Sequence, residues 1–366
     1  MPRTIEHAGS MIKPRSMIWT GNGDVDGQEK CHYLAKMRPR RLTFACELDP
    51  ARLSAVFADP TVAADLRALG ASVALMLSDL SDERAAVVKD LNSAGVPVIA
   101  IPLLPLEKGY YFTPDNLEDA LHRYGELKTW TARHQLAWAG VGLDVEPYAQ
   151  VYLQLMRNPW GVVPMLLRRV FDERRIRRAQ QTYASLVDRI HADGLSVENY
   201  QFPLMADERW AGSTLLQRLL GLVDVSTDRE VWMLYTSVLP GVGPGLLWIY
   251  SAEAQAVGIG STGGGPDIPG HPEVPPLEWQ TFSRDLRLAH ERCDDLLIHS
   301  LEGCVRHGYL HRLRTFDWEQ TAPTPRSARV AVGLRALLRA VLWTSAHPWA
   351  ALTTVAALLL VVVRRR

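Results

Sequence analysis

The sequence predicts a (β/α)8 barrel, and three observations carry that reading. Eight apolar, strand-like runs alternate with helical segments, and no run is followed directly by a hairpin partner. Such alternation implies parallel strands joined by crossover helices. Eight units over roughly 280 residues suit a closed barrel better than an open doubly wound sheet. No G-x-G-x-x-G follows the first run, which removes the best support for a dinucleotide-binding sheet.

The first strand is read at 41–47, Arg-Leu-Thr-Phe-Ala-Cys-Glu, and a helix at 51–69 ends at Gly70. The second strand spans 71–79, and the charged amphipathic segment 82–94 ends at Gly95. The third, 96–104, is rich in β-branched residues. Pro114 and Asp115 then open a helix reaching about residue 135. The fourth strand is 140–146. Segment 148–193 is long for one crossover; its first part is broken by Pro159 and Pro164, and its second is rich in arginine. Strand five is read at 195–202, six at 230–237, seven at 257–261 and eight at 295–302. Helices are expected at 207–222, 246–256 and 278–292, with a last one leading toward Leu313.

Lysine plus arginine equals aspartate plus glutamate at 40 each, which argues against a nucleic-acid binder. The four cysteines are too scattered for a disulfide scaffold. Residues 1–38 form a polar leader without a signal-peptide core, and 39–315 form the barrel. A linker and basic juxtamembrane helix are expected at 316–340. Residues 341–366 are read as a single-pass C-terminal transmembrane helix, with Trp343 and Trp349 near the interface and an arginine tail. The lipid bilayer is therefore an expected partner. The side of the membrane is unresolved, cytoplasmic by default. No cofactor and no metal are expected.

The fourth strand holds the chemistry. Alternation puts Gly140, Gly142, Asp144 and Glu146 on one face and Val141, Leu143 and Val145 on the other. Two neighbouring carboxylates repel, so a carboxyl pKa rises toward the range a general acid needs. The competing reading is an ion pair with arginines at the barrel mouth. Strand ends in such barrels carry catalytic groups. Glu47, Asp79, Glu198, Tyr200, Gln201, Tyr235 and Glu302 are collected by the same rule, and of these Glu47, Asp79, Tyr200, Gln201 and Glu302 are taken as substrate-binding candidates.

The run 139–146, Ala-Gly-Val-Gly-Leu-Asp-Val-Glu, resembles the signature D-G-x-D-x-D-x-E of family 18 glycoside hydrolases (chitinase-like), matching at Gly140, Asp144 and Glu146. Met233-Leu234-Tyr235 resembles that family's M-x-Y-D. The resemblance implies Glu146 as general acid, with Asp144 and Tyr235 holding the substrate's N-acetyl group. The implied substrate is a β-linked amino-sugar glycan or oligosaccharide. The chain departs from the pattern at Ala139, Gly142 and Thr236, which stand where the family has aspartates, and no tryptophan floors the eighth strand. Two alternatives stay open: a non-catalytic carbohydrate-binding or scaffold barrel, and a metal-assisted hydrolase using Glu47, Asp79 and Glu302.

Other signals weigh less. His307 and His311 have helical ligand spacing but no third ligand nearby. The glycines at 263–265 are not followed by Lys-Ser/Thr, so they form no P-loop. The arginines of 168–178 read as a solvated helix face, with anionic lipid as a minor alternative.

Overall fold

Eight parallel strands close into a barrel in sequence order, each paired with the next and β8 with β1. The computed structural model describes residues 38–147, 158–239, 241–265, 274–350 and 353. The strands are β1 Arg41–Cys46, β2 Ser72–Leu77, β3 Val98–Pro102, β4 Gly140–Asp144, β5 Val197–Gln201, β6 Arg229–Met233, β7 Ala256–Gly260 and β8 Asp295–His299. This is the (β/α)8, or TIM, barrel expected from the alternation.

The helices differ from expectation where proline or glycine intervenes. The single helix read at 51–69 is two, α1 Pro50–Phe57 and α2 Pro60–Leu69. Pro60 has no N–H to continue the first helix, and Asp59 caps the second by accepting from Thr61 N. After β2 and β3 come α3 Asp82–Ser93 and α4 Leu117–His134. The β4–β5 crossover contains α5 Val163–Arg169 and α6 Glu173–Ala192. The helix read at 207–222 is also two, α7 Leu204–Ala211 and α8 Leu215–Leu220, parted at Gly212, whose φ of 65° ends the first. Then follow α9 Gly243–Ser251, α10 Trp279–His290, α11 Leu301–Arg306 and α12 Tyr309–Leu313.

Period-two alternation divides the apolar residues between two layers. Val141, Leu143 and Val145 of the fourth strand join the large cluster between sheet and helices. Ala45, Ala74, Ile99, Ile101, Tyr200, Val231 and Leu297 fill the barrel interior. At the N-terminal end of the strands the interior is ionic. Arg229 donates to Glu198 (2.6 Å) and to Asp295 (2.9 Å), and Arg41 reaches Glu198 at 3.1 Å. Register makes this possible, because Arg229 lies opposite Glu198 and Arg41 opposite Asp295. Glu198, expected at the mouth, is thus part of the floor.

The C-terminal region redraws the expected boundary. Residues 328–346 form one helix, α13 Ala328–Ala346, packed on the barrel's outer ring. The supposed juxtamembrane helix and the start of the supposed span are one element. Arg335, read as membrane-flanking, is buried and donates to Asp207 (2.8 Å) and Glu253 (2.7 Å); Arg339 also reaches Asp207 (2.7 Å). Among the described residues no helix is long and apolar enough to cross a membrane. The rest of the span read at 341–366 lies outside the described residues, apart from 347–350 and Thr353.

Arg229→Met should strip Asp295 of its Arg229 partner and leave Glu198 with Arg41 as its remaining ion-pair partner. The expected cost is about 3–5 kcal/mol of unfolding free energy, measured by urea denaturation.

Candidate active site

The chain beyond β4 brings the site together. Phe112 N donates to Asp144 O (3.1 Å) and Glu146 N donates to Phe112 O (3.1 Å), so a stretch of the β3–α4 loop pairs beside the end of the fourth strand. This brings Tyr110 and Tyr111 to the mouth, their rings edge to face at 5.0 Å. Tyr110 Oη donates to Glu47 Oε1 at 2.6 Å. Glu47 follows β1, and Asp144 and Glu146 occupy the inward face of the β4 end.

These carboxyls raise one another's pKa. Burial pushes Glu47 up to about 8, and the charges of Asp144 and Glu302 add to this against the opposing Tyr110 hydrogen bond. Burial and then the charge of Glu47 push Glu146 up to about 7. Asp144 is raised well above its ordinary value by burial and by Glu146. Its Oδ1 is buried and has no hydrogen-bond partner among the described residues. An unpartnered buried acceptor is costly, and it is available to a ligand N–H or O–H.

Among the described residues no ion pair reaches Glu47, Asp144 or Glu146. His299, at the end of β8, stacks on Tyr235 at 5.3 Å between ring centroids. Burial lowers its pKa to about 4, so its imidazole is neutral at physiological pH. Burial raises the Tyr235 phenol pKa, and the charges of Glu146, Asp144 and Glu47 add to this. Arg84, in the first turn of α3, is fully buried, but it donates to Asp79 (2.6 Å), Met76 O (3.0 Å) and Leu48 O (2.8 Å).

The structure therefore groups Glu47, Asp144, Glu146 and Tyr235 and leaves other candidates out. Asp79 is engaged by Arg84, which holds its carboxyl below the usual range despite partial burial. Its role is to tie the loops after β1 and β2. Gln201 alternates with the inward Tyr200, so it faces the outer layer and donates to Val223 O (2.9 Å). Tyr200 lies inside the barrel and donates to Glu198 Oε1 (2.5 Å), which joins the site to the floor. Glu302, in the first turn of α11, accepts from Gly265 N (3.2 Å) and braces the loop after β7. It couples to the site through its effect on Glu47.

The departures from the family 18 pattern have physical counterparts. A Cβ at Gly142 would stand 2.8 Å from both Ile101 Cγ1 and Tyr200 Cε2. The space of an inner aspartate is occupied by packing. Thr236 turns to the helix layer and donates to the buried Asp285. Sequence reasoning missed Tyr110, Tyr111 and His299. His299 had a usable signal, since alternation along β8 puts it on the face of Asp295 and Leu297; the tyrosines lie in a loop without periodicity. Among the described residues no group of three or more His, Cys, Asp or Glu side chains is arranged to hold a metal ion.

No protein-family model and no curated protein matches the chain. Solved structures match at low similarity. One is tryptophan synthase from M. tuberculosis in its aminoacrylate- and BRD0059-bound form, at 14% identity and TM-score 0.37, covering 77% of this chain and 91% of that chain. Another is Gas2p of Saccharomyces cerevisiae in complex with laminaritetraose and laminaripentaose, at 12% identity and TM-score 0.35, covering 72% of this chain and 56% of that one.

Two outcomes are expected. Gly142→Ala should destabilise the fold by about 1–3 kcal/mol through overpacking against Tyr200 and Ile101, read by chemical denaturation. Stability should also fall as pH rises from about 4.5 to about 8. Glu47 and Glu146 have folded pKa values above the unfolded 4.5, so in this window the folded state binds more protons than the unfolded state. Glu47→Gln should flatten that slope.

Proposed function

We propose that this barrel is a glycoside hydrolase with Glu146 as its general acid, acting on a β-linked amino-sugar glycan. The carrying observation is a half-buried carboxyl at the β4 mouth whose pKa is pushed up to about 7 beside a second buried carboxyl. A general acid works best when its pKa lies near the operating pH.

In this reading Glu146 gives its proton to the glycosidic oxygen as the bond to the leaving sugar breaks. Asp144 presents Oδ1, which has no partner among the described residues, to the acetamido N–H of the substrate. That contact orients the acetamido oxygen toward the anomeric carbon, where it forms a C–O bond as the bond to the leaving sugar breaks; water then attacks the anomeric carbon and gives its proton back to the Glu146 carboxylate, breaking that C–O bond and restoring the acetamido group with retention. This is the substrate-assisted exception to the scheme of two carboxylates. Tyr235 hydrogen-bonds the acetamido group from across the mouth. Burial first, and then the neighbouring acid Glu47, raise the proton affinity of Glu146, and Glu47 is itself positioned by Tyr110. Aromatic faces at Tyr110 and Tyr111 suit the apolar face of a pyranose ring.

The test is turnover of aryl β-glycosides of N-acetylglucosamine and of plain sugars. Glu146→Gln should lower kcat by about 100- to 10,000-fold while the sugar still binds. The wild-type rate should decline as pH rises through about 7, following loss of the Glu146 proton. Unchanged turnover in Glu146→Gln would refute the assignment. Thermal stabilisation by an oligosaccharide without turnover would identify a binding barrel instead.

A further inference from the structure

The flank of the barrel carries a surface that the proposed chemistry does not use. α13 starts beside the mouth end of α9: a Cβ on Gly245 would stand 2.5 Å from the backbone of Ser327. It finishes at the floor end of α7, where Ser345 Oγ lies 3.0 Å from Ser213 Oγ. Crossover helices of a barrel begin at the C-terminal ends of the strands, so α13 runs along the flank from mouth to floor.

Its two faces are inverted relative to an ordinary surface helix. Ala331, Arg335 and Leu342 are buried against the ring. Val330, Leu334, Leu337 and Val341 form an exposed stripe at helical spacing, with Leu337 63% exposed. Trp343 and Trp349 extend the exposed apolar surface at the floor end. Between residues 330 and 350 the charged side chains are Arg335 and Arg339, and both turn inward to Asp207. From Val330 to the end of the helix the outward face therefore lacks any Asp, Glu, Lys or Arg. An apolar patch of this extent marks an interaction surface.

We propose that this face of α13 is a lipid-docking surface that lays the barrel's flank on a bilayer interface. Three observations select lipid as the occupant. Residues 351–363, which continue the chain from the floor end, also contain no charged side chain. Trp343 and Trp349, at the junction, are the residue type enriched at the boundary of hydrocarbon and headgroups. Arg326 and Arg329, exposed at the other end of the stripe, suit headgroup phosphates. The polar half of an interfacial helix normally faces water; here it faces the barrel, with Asp207 and Glu253 as counter-ions. Docked along the flank, the barrel opens its mouth along the membrane surface rather than into it.

The experiment uses the full chain with Cys31 changed to serine, since Cys46, Cys293 and Cys304 are buried. An environment-sensitive fluorophore is placed at Leu337→Cys or, as control, at the exposed mouth-side Glu118→Cys. Each protein is reconstituted with phosphatidylcholine–phosphatidylglycerol vesicles containing brominated lipid. Emission at position 337 should shift to the blue and be quenched severalfold more than at 118. Adding Leu334→Glu and Val341→Glu should abolish the quenching at 337 while leaving the melting temperature unchanged. Equal quenching at the two sites would overturn the proposal. So would quenching at 337 that survives the glutamates, or energy transfer between labelled copies showing that a second molecule covers the face.

Discussion

Everything at the mouth depends on carboxyl groups held away from water and away from cations. Glu47, Asp144 and Glu146 converge from two strands, and each raises the proton affinity of another. The neighbouring ring nitrogen, on His299, stays neutral because it is buried. The nearby guanidinium, Arg84, is directed to Asp79 and two carbonyls. Had Arg84 reached the site instead, the carboxyls would ionise and the group would become an ordinary ion-pair network. The separation of these two clusters gives the mouth its chemistry.

The interior beneath serves the same end. Tyr200 and Ile101 occupy the volume that a side chain at position 142 would need. Tyr200 passes its hydroxyl hydrogen to Glu198, which is already neutralised by Arg229 and Arg41. The floor is thus charged and compensated, the middle apolar, and the mouth acidic, without an ion pair to its carboxyls among the described residues. Sheet and helices bury one extensive apolar cluster, which offsets the cost of keeping the mouth acids desolvated.

Much of this was legible in the sequence, because strand periodicity is strict. The alternation along 140–146 assigned Asp144 and Glu146 to one face, and the barrel placed Glu47 on the same rim. Applied fully, the same rule would have put Gln201 outside, since Tyr200 beside it points in. Asp79 was ambiguous for a different reason. Its position at a strand end is that of a site residue, and only tertiary structure shows that Arg84, one turn into the next helix, engages it. Tyr110 and Tyr111 were invisible because a loop has no period to read. Arg335 and Arg339 looked like flanking charges beside an apolar stretch; their partner Asp207 is 128 and 132 positions away in sequence.

Glu146 keeps its proton near neutrality because it is buried and, secondarily, because its neighbour Glu47 is an acid. Carbon-13 NMR titration of selectively labelled glutamate side chains tests it most directly, with Glu146→Gln supplying the assignment. A resonance titrating near 7 that shifts toward 4.5 in Glu47→Gln is the predicted result. A Glu146 carboxyl that titrates near 4.5 in the wild-type protein would contradict the account.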